Sequence, residues 1–238
     1  MQSFTKSWLA FAIAGGILIA ASVRSAADND LIPAQFTKEQ RDNLQRFLQK
    51  HEKPDRYVPA DAKIVGSQPA KIDANAEPGA GKAIKQYMVQ IAAHRPVPGQ
   101  EEVKRADVIY YRPNPEKGKP GITVKHTVDL TTGDQIGPTE VLLNSHTPIS
   151  HEELAEAVAL AREKSPAVGD LYKDRDKSAV RWEYLQLMIQ RKHTQHEPGD
   201  RVVRLVFNAA PAAKDQEAPA PVRVIVNLTK GVVTPDER

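Results

Sequence analysis

Two stretches of the chain carry the same pattern: residues 123–136 have the sequence TVKHTVDLTTGDQI, and residues 222–233 have the sequence VRVIVNLTKGVV. In each, a β-branched run leads into a polar turn that contains glycine, which is typical of a strand followed by a turn. The matched residues are Val128-Asp129-Leu130-Thr131 with Val226-Asn227-Leu228-Thr229, and Gly133 with Gly231. The spacing between the copies, from 128 to 226, predicts a duplicated domain rather than a short solenoid repeat.

The residues of the pattern suit a turn. An aspartate or asparagine before a turn can accept hydrogen bonds from nearby backbone N–H groups, and glycine adopts positive φ without strain. We therefore expect Asp129 and Asn227 to bond the backbone of equivalent turns, and the two glycines to share a conformation. We also expect Leu130 and Leu228 to be buried to a similar extent.

The strands before the turn repeat as well. Residues 105–111 (RADVIYY) correspond to residues 202–208 (VVRLVFN), and a polar loop with proline follows each, as expected of exposed hairpin tips. One step earlier, residues 87–91 (YMVQI) and 182–189 (WEYLQLMI) predict another pair of strands, although the second is also long enough for a helix. Residues 135–143 can complete the first sheet or lead into the second copy.

A helix is predicted at the start of each copy. Ser150 and Glu153 form a capping box in the second copy, and Thr37 and Gln40 form the equivalent box in the first. Apolar residues follow at helical spacing: Leu44, Phe47 and Leu48 in the first helix, and Leu154, Ala157, Val158 and Ala161 in the second. The helix starts are further apart than the strand pairs, so residues 53–82 are expected to be an insertion in the first copy.

These elements predict an α+β fold of two tandem cystatin-like domains. Each would pack one helix on an antiparallel sheet of three to four strands, which buries the apolar face of both. We place the first domain at residues 28–145 and the second at residues 146–238, after a signal peptide at residues 1–27.

The signal peptide is predicted from the first residues of the chain. Lys6 precedes an uncharged, apolar run from Trp8 to Ala21, which is shorter than the about 20 residues that span a bilayer. Small residues follow, and they place cleavage after Ala27. We therefore expect a periplasmic or secreted protein with no membrane span after cleavage; an uncleaved anchor is the alternative.

Composition excludes several classes of function. The chain has 238 residues, and 33 Lys and Arg stand against 30 Asp and Glu, a net charge of +3 that is too small for a strong nucleic-acid footprint. The absence of cysteine excludes disulfides, thiolate metal sites and a cysteine nucleophile.

Several segments resemble the N-terminal domains of copper amine oxidases. Residues 105–109 (RADVI) and 126–133 (HTVDLTTG) are similar to the second domain of that family, and residues 147–154 (TPISHEEL) are similar to the helix that opens the third. In that family these are two small cystatin-like domains, followed by a β-sandwich that carries the chemistry. The resemblance covers most of residues 31–238 and implies a non-catalytic role.

The catalytic pattern of that family is missing from this sequence. Its quinone cofactor forms from a tyrosine in Asn-Tyr-Asp/Glu, and three histidines hold its copper, two of them as His-x-His. This chain has neither pattern. We therefore assign no catalytic, cofactor-binding or metal-binding residue and expect no cofactor.

Histidines offer the remaining candidates for metal chemistry. His193 and His196 have the spacing His-x-x-His, which on a helix would let both bind one metal ion. Residues 197–200 (EPGD) instead predict an exposed turn. His146 and His151 flank a helix cap, and we interpret them as structural.

Three other features favour structural interpretations. Residues 79–82 (GAGK) lack the spacing of a phosphate-binding loop, and the alternating charges of residues 170–177 indicate a solvated surface. Tyr110 and Tyr111 are neighbours on a predicted strand, so one of them faces away from the core. We interpret that residue as part of an exposed hairpin end; anchoring a partner is the alternative.

The sequence therefore favours an exported, non-catalytic binding or interaction protein with a protein partner and no affinity for nucleic acid. One alternative is an accessory subunit of a split copper- and quinone-dependent primary amine oxidase, whose partner is a separate catalytic chain. Another is a weak metal-binding protein that uses His193 and His196.

Overall fold

The computed structural model describes residues 31–65, 83–95, 103–143, 145–173, 175–189, 191, 195–211 and 217–236. Over these residues the fold is α+β, with two sheets that follow one another along the chain and a helix packed on each. The predicted tandem arrangement of sheet-plus-helix units is thus confirmed. We call residues 31–143 the first unit and residues 145–236 the second unit. The predicted signal peptide lies outside the described residues.

The first unit contains one helix and five strands. They are α1 (Lys38–His51), β1 (Lys63–Val65), β2 (Tyr87–Ala93), β3 (Arg105–Arg112), β4 (Ile122–Asp129) and β5 (Glu140–Leu143). The strand order is β1-β5-β4-β3-β2, with β1 parallel to β5 and the other pairs antiparallel.

Helix α1 begins where the capping pattern predicts. The Thr37 hydroxyl accepts a bond from the Gln40 backbone, and the Gln40 carboxamide accepts one from the Thr37 backbone. Leu44 and Phe47 are buried against the sheet, and Leu48 is partly buried at the margin of the same core. The predicted apolar face of this helix is therefore confirmed.

The prediction of three to four strands is wrong for the first unit, because β1 adds a fifth. This short strand lies within the predicted insertion and pairs with β5, which completes the first sheet. The Asp61 carboxylate, just before β1, accepts bonds from the backbone and hydroxyl of Thr139, just before β5. The rest of the insertion, residues 66–82, lies outside the described residues.

The second unit contains two α-helices and four strands. They are α2 (His151–Lys164), α3 (Pro166–Tyr172), β6 (Val180–Leu187), β7 (Val202–Ala209), β8 (Val222–Asn227) and β9 (Val232–Pro235), and the sheet is an antiparallel meander in that order. The segment that could have been a helix is the strand β6. Helix α3 corrects the prediction of one helix per domain. Pro166 stops α2 and then occupies the first turn of α3, a position where its missing N–H does no harm.

The repeated turns are similar in the two units, although their side-chain bonds reach different positions of the turn. The Asp129 carboxylate accepts a bond from the Thr131 backbone at 2.8 Å, and the Asn227 carboxamide oxygen accepts one from the Lys230 backbone at 3.0 Å. Gly133 and Gly231 both have positive φ, +82° and +63°. A side-chain bond to the turn backbone and positive φ at both glycines are thus confirmed, but the bonds are not at matching positions.

The expected similarity of the two leucines at the turns is wrong. Leu130 is fully buried in the core of the first unit, whereas Leu228 is only partly buried. The difference arises because Leu228 also lines a cavity between the units. No helix among the described residues is both long enough and apolar enough to cross a membrane.

Candidate functional site

The predicted histidine pair is only half described. His193 lies outside the described residues, while His196 lies in a loop, with its Nδ1 3.2 Å from the carboxamide nitrogen of Asn227. Asp200 closes the turn that follows, since its carboxylate accepts a bond from the Glu197 backbone at 2.9 Å. The predicted turn at residues 197–200 is therefore confirmed, although its last residue, Asp200, is buried rather than exposed. Within the described ranges, no group of three or more His, Asp or Glu residues is arranged to hold a metal ion.

The other weak candidates lie on the surface where they are described. His146 and His151 are exposed, and Asp170 pairs with Lys173 on the surface at 2.8 Å. Residues 79–82 and Asp174 lie outside the described residues.

Tyr110 and Tyr111 correct the interpretation of an exposed hairpin end. Tyr110 belongs to the core of the first unit, and Tyr111 points to the opposite face of the sheet. Both are nonetheless buried, at 4% and 5% exposure. Tyr111 is buried because the second unit covers it, so the partner of this tyrosine is the other half of the same chain.

The covering residue is Arg201, which immediately precedes β7. Its guanidinium carbon lies 4.4 Å from the centroid of the Tyr111 ring, a cation–π geometry. On its other side, Nε and Nη2 donate to the two carboxylate oxygens of Glu153 at 2.9 and 2.6 Å. This fork-to-fork pair is almost fully buried, with about 4% of either side chain exposed.

Glu153 thus has two roles. As the third residue of α2 it accepts a bond from the Ser150 backbone at 3.0 Å, completing the capping box. It also neutralises Arg201, whose remaining N–H groups donate to the carbonyl oxygens of Thr147 and Pro148 at 2.6 and 2.8 Å. All the N–H groups of Arg201 are bonded. Such a buried charge pair determines where the Arg201 guanidinium lies more than it adds to the free energy of unfolding.

A second group of contacts joins β2 to α2. The Tyr87 hydroxyl donates to the Glu156 carboxylate at 2.8 Å, and Lys85 pairs with the same carboxylate. Burial, together with the bond to Glu156, raises the pKa of Tyr87 above its usual range. Burial also raises the pKa of Tyr111 to about 12. Both phenols are neutral at physiological pH and act as packing and hydrogen-bonding groups.

A cavity of about 230 Å³ remains at this junction of the two units. Most of its charged walls are paired, through Arg201 with Glu153, Lys85 with Glu156 and Lys119 with Glu116; Lys117 also lines it. The arrangement holds the units together and offers no activated nucleophile or general base. We therefore regard the junction as structural.

The open edge of the second sheet is the stronger candidate site. Strand β6 pairs with β7 over all eight of its residues, without a bulge, and has no strand on its other side among the described residues. Three large apolar side chains on it are exposed: Trp182 at 37%, Tyr184 at 52% and Leu185 at 55%. Met188, just after the strand, is 61% exposed. Trp182 and Tyr184 share one face of β6, and Leu185 lies on the other. We call these four residues the β6 surface.

The register explains how these side chains become exposed. Trp182 and Tyr184 lie opposite Phe207 and Leu205, which are fully buried, so they continue the core-facing side of the sheet. Helix α2 makes its main sheet contacts with β8 and β9, on the far side of the sheet, and only its first residues, His151 and Glu152, lie near Tyr184 of β6. At this edge, the core-facing side of the sheet therefore extends beyond the part that α2 covers.

The corresponding edge strand of the first unit, β2, is covered. Strand β2 contains Ile91, which pairs with Val108 and is buried in the core beneath α1. The other face of β2 carries Tyr87 and Val89, which are buried at the junction with the second unit. Polypeptide thus covers β2 on both faces. On β6, the described residues leave Trp182, Tyr184 and Leu185 exposed, although Tyr184 lies beside Leu31 and Met88 of the first unit.

Comparison with known proteins gives no assignment for this chain: no protein-family model matches it, and no curated protein matches it.

Sequence reasoning located β6 as a strand but missed its exposure. The exposure depends on where α2 lies over the sheet, which strand composition does not reveal. The sequence also did not predict the Arg201–Glu153 pair, because the local sequence around Glu153 indicates only its role in the helix cap.

Proposed function

We propose that this protein is an exported, non-catalytic interaction protein that binds an extended segment of a partner polypeptide along the open edge of β6. The observation that carries the proposal is a regular eight-residue edge strand with large apolar side chains exposed on it. An added strand would satisfy the outward-facing backbone groups of β6 and would cover Trp182 and Tyr184.

The edge lacks most of the features that protect sheets from unwanted pairing. Proteins blunt exposed edges with very short strands, proline, bulges or inward-pointing charges. Strand β6 is long, contains no proline and keeps full register with β7. Its charged residues, Arg181 and Glu183, share a face with Leu185, so the face with Trp182 and Tyr184 carries no charge. A cluster of exposed apolar residues of this kind commonly marks an interaction site.

The first unit supports a polypeptide as the occupant. There, the corresponding edge strand β2 is covered by α1 on one face and by the second unit on the other. Since the units share an arrangement, the equivalent edge of the second unit suits another stretch of polypeptide better than a small molecule.

The resemblance to the non-catalytic domains of copper amine oxidases supports a role without chemistry of its own. On that resemblance, a separate catalytic chain of the family is the first partner to test, which makes the accessory subunit the more specific form of this proposal. Metal binding through His193 and His196 has less support, because His196 lies beside Asn227 in a closed turn.

Site-specific photo-crosslinking in the cells that produce the protein tests the proposal. A photo-crosslinking amino acid replaces Leu185 on β6 or, as the matched control, Val232 on the opposite edge strand β9, which is 47% exposed. We expect a covalent adduct with another polypeptide at position 185 and none at position 232. Tyr184→Lys, which places a charge on the apolar face, should abolish the adduct.

The outcomes are distinct. No adduct at position 185, or equal adducts at both positions, would contradict binding at β6. An adduct with the mass of two copies of this chain would replace the partner protein with self-association through the same edge.

A further inference from the structure

A second cavity, of about 430 Å³, opens in the first unit between the end of α1, the loop that precedes β1, and the inner face of β3 and β4. It is separate from the junction and from the β6 surface. Its basic walls consist of Lys50, His51, Lys53, Arg112 and His126. We call it the Arg112 cavity.

Arg112 is a buried cation without a direct ion pair in the described part of the chain, and Asp55 in the same cavity wall acts on it only at longer range. The residue is 4% exposed, and its bonds go to neutral acceptors: the Gln86 carboxamide at 2.7 Å, and the carbonyls of Arg56 and Tyr57 at 2.9 and 2.8 Å. Among the described residues no carboxylate lies within ion-pair distance of it, in contrast to Arg201. Burial lowers the pKa of Arg112 to about 10, which leaves it charged at neutral pH. A buried charge is unfavourable unless it is paired.

His126 lies in the wall of the same cavity and has one ring nitrogen without a hydrogen bond to any described residue. The Gln135 carboxamide nitrogen lies near the Asp61 carboxylate, the Gly137 carbonyl and the Thr139 hydroxyl, which turns its oxygen toward His126. That oxygen lies 2.9 Å from Nδ1, so Nδ1 carries the hydrogen in the neutral ring. Nε2 is left buried without a hydrogen-bond partner among the described residues, and His126 is 3% exposed.

Charged groups from every wall act on this imidazole. Burial is the main cause that lowers the pKa of His126, and the Arg112 charge lowers it further. Burial also lowers the pKa of His51, whose ring centroid lies 4.9 Å from that of His126, to about 4, with contributions from His126, Lys50 and Arg112. Asp61 acts in the opposite direction on both rings. Lys53 and Asp55 complete the charged lining.

We propose that the Arg112 cavity binds a small oxyanion, a phosphate or a carboxylate, between the Arg112 guanidinium and the His126 imidazole, with His126 taking up one proton as the anion binds. The anion supplies the negative charge that Arg112 lacks, and the guanidinium fork suits either oxyanion. The proton moves from solvent to Nε2, and the charge of the anion in the cavity then favours the imidazolium electrostatically; no covalent bond to the ligand forms. Lys50 and Lys53 at the mouth attract the anion.

Isothermal titration calorimetry on the full mature chain tests this proposal, with inorganic phosphate in one arm and citrate in the other. We expect at least one of them to bind with a Kd below about 1 mM at pH 6. Titrations in two buffers of different ionisation enthalpy should show uptake of about one proton per anion. Affinity should therefore increase, by up to about tenfold per pH unit, as the pH falls from 8 to 6.

Variants separate this site from general surface charge. Arg112→Gln and His126→Leu should each weaken binding at least tenfold, and His126→Leu should also abolish the proton uptake. Arg112→Gln also removes hydrogen bonds to the loop before β1, so it can reduce stability as well as binding. Lys53→Ala, at an exposed residue on the rim of the cavity, avoids this effect and should weaken binding two- to threefold. Lys38→Ala, at the opposite end of α1, is its matched control and should bind as the wild type does.

Two results would overturn the proposal. One is the absence of binding by both anions at pH 6. The other is binding that is unchanged in His126→Leu and equally reduced by Lys53→Ala and Lys38→Ala, which would indicate non-specific attraction to the basic surface. Binding by phosphate alone or by citrate alone would support the site and define its ligand class.

Discussion

The guanidinium of Arg201 lies 4.4 Å from the ring of Tyr111, and this contact joins the two units. Tyr111 comes from β3 of the first sheet, and Arg201 is held from behind by Glu153 at the start of α2. One side chain therefore connects the back of one sheet to the helix of the other unit. The hairpin loop after β3 adds a backbone bond, from Gly118 N–H to the Thr229 carbonyl at 3.1 Å.

Neutralising Glu153 should destabilise the protein strongly. In Glu153→Gln, Arg201 stays buried without its counter-charge, and breaking a buried pair in this way costs about 3–5 kcal/mol. Urea denaturation at pH 7 measures the loss. Glu152→Gln, one position earlier on α2, is the matched control and should change the free energy of unfolding by less than about 0.5 kcal/mol. Equal effects of the two substitutions would contradict the assigned role of Glu153.

The apolar faces of α1 and α2 should contribute similarly to the stability of their cores. Leu44→Ala and Leu154→Ala each remove a buried side chain, at 0% and 5% exposure, and should cost about 2–5 kcal/mol. Leu185→Ala changes an exposed leucine and should leave the stability close to that of the wild type. Thermal unfolding separates the cases, and a loss below about 1 kcal/mol at Leu44 or Leu154 would be inconsistent with these cores.

The two equivalent turn glycines should differ in their tolerance of alanine. Both have positive φ, which disfavours alanine by about 1–2 kcal/mol. A Cβ at Gly133 would also lie 2.9 Å from the backbone oxygen of Asn43 in α1, whereas at Gly231 it would meet only the flexible Lys117 side chain. Gly133→Ala should therefore destabilise the protein more than Gly231→Ala, as measured by urea midpoints. Gly137→Ala, with positive φ and open space, controls for backbone strain alone; a larger loss there than at Gly133 would refute the packing argument.

Stability should fall as the pH drops below about 6.5. The pKa of His51 is about 4 in the folded protein against 6.5 ordinarily, and that of His126 is also lowered. The unfolded chain therefore binds more protons than the folded one in this window, so stability is fully present above pH 6.5 and is lost progressively toward pH 4. Urea midpoints at pH 7.5, 6 and 5, in a buffer free of phosphate and carboxylates, measure the slope.

Replacing both histidines should flatten that slope. The double variant His51→Gln/His126→Leu removes the titrating groups, while His146→Gln, at an exposed histidine, should leave the slope unchanged. A double variant that loses stability between pH 6.5 and 5 as steeply as the wild type would show that other groups control it.

Local patterns in the sequence predicted the two helix starts and the repeated turns. A capping box such as that of Ser150 and Glu153 lies within four residues, so no distant contact decides it. Strand β1 was not predictable in this way, because its three residues acquire strand structure only by pairing with β5. The second role of Glu153 was hidden for the same reason, since Arg201 lies far along the chain.

The sequence difference between the back faces of the two sheets could have predicted the junction between the units. At the back of the first sheet, Tyr87 and Tyr111 are apolar aromatic neighbours, and the register places Arg181 and Asn208 at the corresponding positions of the second sheet. An apolar back face in one copy and a polar one in the other indicates that only the first is covered. The exposure of the β6 surface carried no such signal, because the position of α2 over β8 and β9 is a tertiary property.

Hydrogen exchange at β6 tests the central claim most directly. Tagged protein is recovered from its producing cells together with what it binds, and its exchange is compared with that of the same protein purified to a single chain. We predict slower exchange over Val180–Leu187 in the recovered complex and unchanged exchange over Val232–Pro235 of the opposite edge. Equal exchange at β6 in the two samples, with protection elsewhere on the chain, would contradict the claim that this edge is the binding site.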